Sequence, residues 1–146
     1  MKHSEPDYEY LALALKILNG IVDQYGNIEN YFNIDGGRKL NISETRNHFN
    51  KYIRSLNMSK YMEISFNQTT IARTSCKHNN ENGKSELVVG LPISYRINNI
   101  EGVFNHEIGT HFLRKFNDKQ QIWYKQRKKY RLQPYLATEE GLAAIN

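Results

Sequence analysis

The chain is poor in cysteine, in long apolar runs and in targeting or repeat patterns, and each shortage narrows what it can be. One cysteine, Cys76, stands among 146 residues. No internal disulfide can form, which favours a reducing, intracellular and cytoplasmic setting. Apolar stretches last only a few residues, well short of the roughly 20 that a membrane-spanning helix needs. The start, Met1-Lys2-His3-Ser4-Glu5-Pro6, is acidic early and lacks an apolar core, so it does not read as a secretory signal. No RNA- or DNA-binding motif, internal repeat or low-complexity tract is present, and neither nucleic acid nor membrane is expected as a partner.

The length suits a single domain able to bury a sizeable core. With 39% apolar and 24% charged residues, the composition is that of a globular protein. The formal charge of +5 is unevenly spread, because Lys125-Gln126-Arg127-Lys128-Lys129-Tyr130-Arg131 holds five of the twenty basic residues. Such a run is either a solvated helix face or loop, or a landing patch for an acidic partner such as an acidic peptide tail.

Periodicity predicts a helical part over residues 1–57. An amphipathic helix is expected from Asp7 to Tyr25, with Pro6 ahead and Gly26 behind. A turn follows at Asp35-Gly36-Gly37, then a second helix capped by Ser43 and running to about Asn57. Residues 61–89 change period: Tyr61 to Phe66, Thr70 to Ser75 and Ser85 to Val89 read as strands. Lys77 to Lys84 reads as a hairpin loop, and Gly90-Leu91-Pro92 ends the last strand. Residues 98–146 read as helical again. A third helix capped by Asn98 or Asn99 runs to about Phe116, and Thr138 caps a last one. Because the chain stops six residues after Glu140, that last helix is short, and a fragment of a longer domain is expected.

The chemistry lies in this last part, in His106-Glu107-Ile108-Gly109-Thr110-His111 and in Glu140, 29 positions after His111. Two imidazoles and a carboxylate can hold one Zn²⁺ and leave a fourth position for water. Co²⁺ and Mn²⁺ suit the same donors. Histidines four apart on an α-helix lie about 40° apart, but five apart they diverge by about 140°. One extra residue accommodated as a π-bulge restores a common face, and Gly109 is the expected place for it. His106 and His111 are then ligands, with Glu107 beside the metal as general base. Glu140 is preferred to Glu139 as third ligand because Gly141 and Ala143 allow its helix to pack closely. The bare H-E-x-x-x-H pattern is short and recurs by chance; Glu140 is what strengthens it. His3, His48 and His78 lack such a context and are expected to be exposed.

From Glu101 to Ala144 the chain resembles the family of microtubule-associated tyrosine carboxypeptidases and their bacterial relatives, which share a Q/E-E-G-L-A motif. The resemblance is carried by His106 to His111, Phe112-Leu113-Arg114 and Thr138-Glu139-Glu140-Gly141-Leu142-Ala143, in that order. It implies one zinc held by His106, His111 and Glu140, with Glu107 as base. It also implies a peptide substrate, the acidic C-terminal tail of tubulin among the family's eukaryotic members, and a microtubule-associated location.

The expected molecule is an α+β, zincin-like metallopeptidase with helices flanking a small, mainly antiparallel sheet. A carboxypeptidase also needs a cation for the terminal carboxylate, and Arg96, Arg114, Lys125 and Arg127 are candidates. Two rivals stand beside this reading. One is an inactive fragment or pseudoenzyme that binds acidic tails through the basic segment. The other is a metal-free structural domain with its histidines on opposite faces of a straight helix.

Overall fold

The computed structural model describes residues 8–78, 83–134 and 136–145, and the chain divides into two compact units, residues 1–38 and 39–146. The first unit contains α1 (Leu11–Tyr25) and α2 (Ile28–Gly36). The second helix departs from expectation, because the Asp35-Gly36-Gly37 signal marks a helix end and not an isolated turn. Asn27 caps its start by accepting from Asn30 N at 2.8 Å, and Gly37 ends it at φ +69°, a conformation that favours glycine. Tyr25 and Tyr31 meet edge to face at 5.3 Å. No residue of α1 is buried, and Leu13 and Ile17 are each 55% exposed.

The second unit opens with α3 (Ile42–Ser55). Its cap is Asn41, not Ser43: Asn41 Oδ1 accepts from Glu44 N at 2.9 Å, while Glu44 Oε2 accepts from Asn41 N at 3.0 Å. This reciprocal pair satisfies two donors that a helix start otherwise leaves open. From it, Phe49 and Ile53 project into the core.

Three strands follow, β1 (Met62–Asn67), β2 (Thr74–His78) and β3 (Ser85–Gly90). Their spatial order is β1-β3-β2. β2 and β3 pair antiparallel as expected, with Cys76 opposite Leu87. However, β2 lies further along the chain than the expected strand from Thr70 to Ser75, so Lys77 and His78 are paired strand residues and not loop. Residues 79–82 lie outside the described residues. β1, however, pairs parallel to β3, with Ile64 opposite Leu87. The sheet is therefore mixed and not mainly antiparallel. Central β3 carries Leu87, Val88 and Val89 fully buried, as a strand covered on both faces should.

The next helix is continuous over residues 100–118 but changes winding. It is α-helical in α4 (Ile100–Phe104), π-helical over Asn105–Phe112, and α-helical again in α5 (Leu113–Asp118). Ile100, Phe104, Ile108 and Phe112 bury one side of this motif helix in the same core as Phe49 and Leu87. Phe104 packs edge to face on Phe49 at 4.9 Å. The last element is α6 (Leu136–Ile145), which packs on the π-helical segment. Thr138 lies inside its first turn and is not the residue before it. Among the described residues, no helix is long and apolar enough to cross a membrane.

Candidate metal centre

The π-helical segment sets the geometry. Its wider turn brings side chains five apart onto neighbouring directions, and the Thr110 hydroxyl reaches back five residues to donate to Asn105 O at 3.0 Å. Gly109 faces Tyr52 of α3. A Cβ there would lie 3.0 Å from the hydroxyl of Tyr52, which donates to Asn105 Oδ1 at 2.9 Å. The glycine is thus required by the approach of a neighbouring side chain as much as by the winding of its own helix.

His106 and His111 consequently face each other, with Nε2 atoms 3.3 Å apart. Their protonation follows from what holds the other ring nitrogen. His106 Nδ1 lies 3.0 Å from the carbonyl oxygen of Ala143, which can only accept, so Nδ1 carries the hydrogen. His111 Nδ1 lies 2.8 Å from Glu139 Oε1. Glu139 is a buried carboxylate that also forms an ion pair with Arg114 Nε at 2.5 Å. In neutral rings both Nε2 atoms then present lone pairs to one another, an arrangement that a cation between them would stabilise. Glu140 Oε2 stands 3.7 Å from His111 Nε2. The donor atoms of His106, His111 and Glu140 all lie within 4.8 Å of one another. Two nitrogens bound tetrahedrally at about 2.0–2.1 Å would be about 3.3 Å apart, so the spacing of the imidazole pair suits an ion of zinc's size.

Glu107 borders a cavity of about 230 Å³ next to these donors, with Ser75, Cys76 and His78 of β2 and Arg114 and Lys115 of the motif helix. Burial raises the Glu107 pKa, the two imidazoles oppose the rise, and Glu140 adds to it. Glu139 behaves differently: burial alone would lift its pKa, but hydrogen bonds from His111 and Arg114 outweigh burial and hold it below the usual carboxylate value. Cys76 is pushed up to about 12 by burial, with the Glu107 charge adding. It is therefore a protonated thiol and not a nucleophile.

Several sequence expectations change here. His78 is half-buried, accepts from or donates to Ser85 Oγ at 2.8 Å, and stacks on Phe112. Burial and then Lys115, Lys119 and Arg114 lower its pKa to about 4. His48 is partly covered and stacks on Phe104 at 6.5 Å; His3 lies outside the described residues. Gly141 plays no part in close packing, since a Cβ there would meet nothing within 4 Å, whereas Ala143 is buried. Of the four candidate cations, only Arg114 borders the cavity. Arg96 is buried elsewhere, Arg127 pairs with Asp118 at 3.3 Å, and Lys125 lies over Tyr124. The basic segment is a series of turns, with positive φ at Lys125 and Arg131. The sequence offers Glu139 only as the less favoured third ligand, and it gives no sign of Asn105 or Lys115.

The arrangement is that of a mixed α+β domain with an H-E-x-x-x-H helix facing a second, carboxylate-bearing helix. No family model matches the chain. Individual proteins do. The mouse protein named "Putative tyrosine carboxypeptidase MATCAP2" is 31% identical over 147 aligned residues, covering 99% of this chain and 28% of that protein. Mouse "Microtubule-associated tyrosine carboxypeptidase 1" is 28% identical over 99% of this chain and 31% of its own length. Its human counterpart is 26% identical with the same coverage. The chain belongs to the family of microtubule-associated tyrosine carboxypeptidases and spans less than a third of the length of these curated relatives.

Proposed function

We propose that this chain is the metal-binding catalytic segment of a zincin-like metallocarboxypeptidase, with one zinc held by His106, His111 and Glu140. The observation that carries the proposal is the convergence of two lone-pair-bearing Nε2 atoms 3.3 Å apart with the Glu140 carboxylate beside them. Zinc in that position would supply a Lewis acid for the peptide carbonyl and a place for water. The remaining work belongs to the protein. Glu107, half-buried at the edge of the cavity, accepts the proton of the attacking water and passes it to the leaving amine. The relatives are named tyrosine carboxypeptidases, and their names suggest a C-terminal tyrosine as the residue released. An acidic tubulin tail in a cytoplasmic, microtubule-associated setting is the corresponding substrate.

Metal content of the purified chain tests this reading directly, measured by mass spectrometry beside His106→Ala and Glu140→Ala. The expected outcome is about one zinc per chain, lost in both variants. Absence of bound zinc after zinc addition would overturn it. Glu107→Gln should keep the zinc and lower hydrolysis of tubulin-tail peptides by about 10²–10⁴-fold, the usual weight of a general base. If wild type and Glu107→Gln bind such peptides equally and neither cleaves them, the chain is a binding module.

A further inference from the structure

α6 does more than deliver one ligand. Three of its groups reach the motif helix: the Glu139 carboxylate, the Glu140 carboxylate and the carbonyl oxygen of Ala143. Residue 143 follows 139 by four positions and 140 by three, so it adjoins both along the helix, and groups from all three positions reach the same neighbour. The first and third end on the Nδ1 atoms of His111 and His106, the nitrogens that face away from the metal position. Glu139 is also the more deeply placed of the two acidic neighbours, with a side chain 7% exposed against 55% for Glu140. A carboxylate so buried is costly unless compensated. Here Arg114, three residues beyond His111 on the motif helix, supplies the opposite charge. The result is a chain of contacts from Arg114 to Glu139 to His111 that runs within the two helices and ends at Nδ1, across the ring from the nitrogen that would bind the metal.

We infer that Glu139 is a positioning residue that fixes His111 as the Nδ1–H tautomer with Nε2 free for the metal, and that Arg114 holds Glu139 in place for that task. The inference rests on the metal-site reading for its purpose but not for its first test. A hydrogen bond from the far ring nitrogen sets both the orientation and the basicity of a histidine ligand, and its loss usually costs about 10–100-fold in metal affinity. In water the Nε2–H tautomer is the ordinary one, so a ring released from Glu139 has no reason to keep its hydrogen on Nδ1.

The experiment is nitrogen-15 imidazole NMR of the metal-free chain at pH about 8.5, well above an ordinary imidazole pKa of about 6.5. Wild type, Glu139→Leu and Glu139→Gln are compared, with zinc affinity measured in parallel by competition with a chromophoric chelator. Wild-type His111 should be Nδ1–H. Glu139→Leu should shift it mainly to Nε2–H and weaken zinc by about 10–100-fold. Glu139→Gln retains an acceptor oxygen and should restore the wild-type tautomer, which a purely space-filling role would not require. His106, held by a backbone carbonyl, serves as the internal control for folding and should stay Nδ1–H in all three. An unchanged His111 tautomer in Glu139→Leu overturns the inference, as does zinc affinity unchanged within twofold. If the wild-type chain binds no zinc, the metal reading fails, while the tautomer comparison still decides the role of Glu139.

Discussion

The two helices that face each other across the site are built on opposite terms. The π-helical segment of the motif helix is anchored by Ile108 and Phe112, which are 0% and 1% exposed. Its imidazoles are already paired at 3.3 Å. α6 buries only Glu139 and Ala143, and turns Leu136, Leu142 and Ile145 outward at 63%, 52% and 85% exposure. One wall is held by hydrophobic burial and the other by polar contacts to the histidines. The lesson is that two imidazoles held ready to converge need a core behind them, whereas the neighbouring carboxylate can be brought by an element that contributes little to the core.

The comparison breaks first if the buried wall is not the stable one. Phe112→Ala should cost about 3–5 kcal/mol, the usual price of emptying an aromatic core position, read as a shift of the denaturant midpoint. A loss below about 1 kcal/mol would show that the motif helix does not depend on this anchor. Gly109→Ala comes next. Its Cβ would meet the Tyr52 hydroxyl at 3.0 Å, and overpacking of this kind typically costs about 1–3 kcal/mol. Because Tyr52 also holds Asn105, zinc affinity should fall with it, and Tyr52→Phe in the same background should recover part of the stability.

Acid sharpens the same contrast on the strand side of the buried wall. The His78 imidazole, with a pKa lowered to about 4, takes up a proton in the folded state only below that value. The unfolded chain does so from about 6.5. The stability due to the neutral ring is therefore complete above pH about 6.5 and is lost as pH falls toward 4. Urea melts across that window should slope, and His78→Gln should flatten the slope; equal slopes would remove His78 from the account. The smallest effect belongs to the outer face of α6. Leu142→Ser should stay within about 0.5 kcal/mol, as exposed substitutions do.

What could be read in advance divides along physical lines. A spacing of five between His106 and His111 makes a demand on local winding, so the π-helical stretch and its glycine were legible from six residues. The antiparallel pairing of β2 and β3 is legible in the polar connection between them, but the strand's place is not: it begins at Thr74, four residues after Thr70, and takes in Lys77 and His78. Strand order is a tertiary matter: β1 alternates in the same way whichever neighbour it joins, and its parallel pairing to β3 left no local mark. The helix α2 leaves a weak mark in the sequence, because Gly36 and Gly37 carry a turn signal and its start rests on the Asn27 cap. The small residues that favour Glu140 over Glu139 are an imperfect guide, since Ala143 is buried and Gly141 faces open space. The task of Glu139 depends on where Arg114 and His111 stand in space, which no spacing rule encodes.

The two imidazoles are steadied by unlike partners, and this has a consequence for how the site responds to change over generations. Glu139 is a side chain, so one codon can abolish or alter its hold on His111. The hold on His106 is the peptide carbonyl of Ala143, which every amino acid possesses. A scan that replaces side chains one at a time will flag position 139 and pass over position 143 for this role. Any effect at 143 will come instead from the buried methyl and the room around it. The hold on His106 is therefore shielded from drift as long as α6 stays helical, and His111 is the imidazole whose properties a lineage can tune.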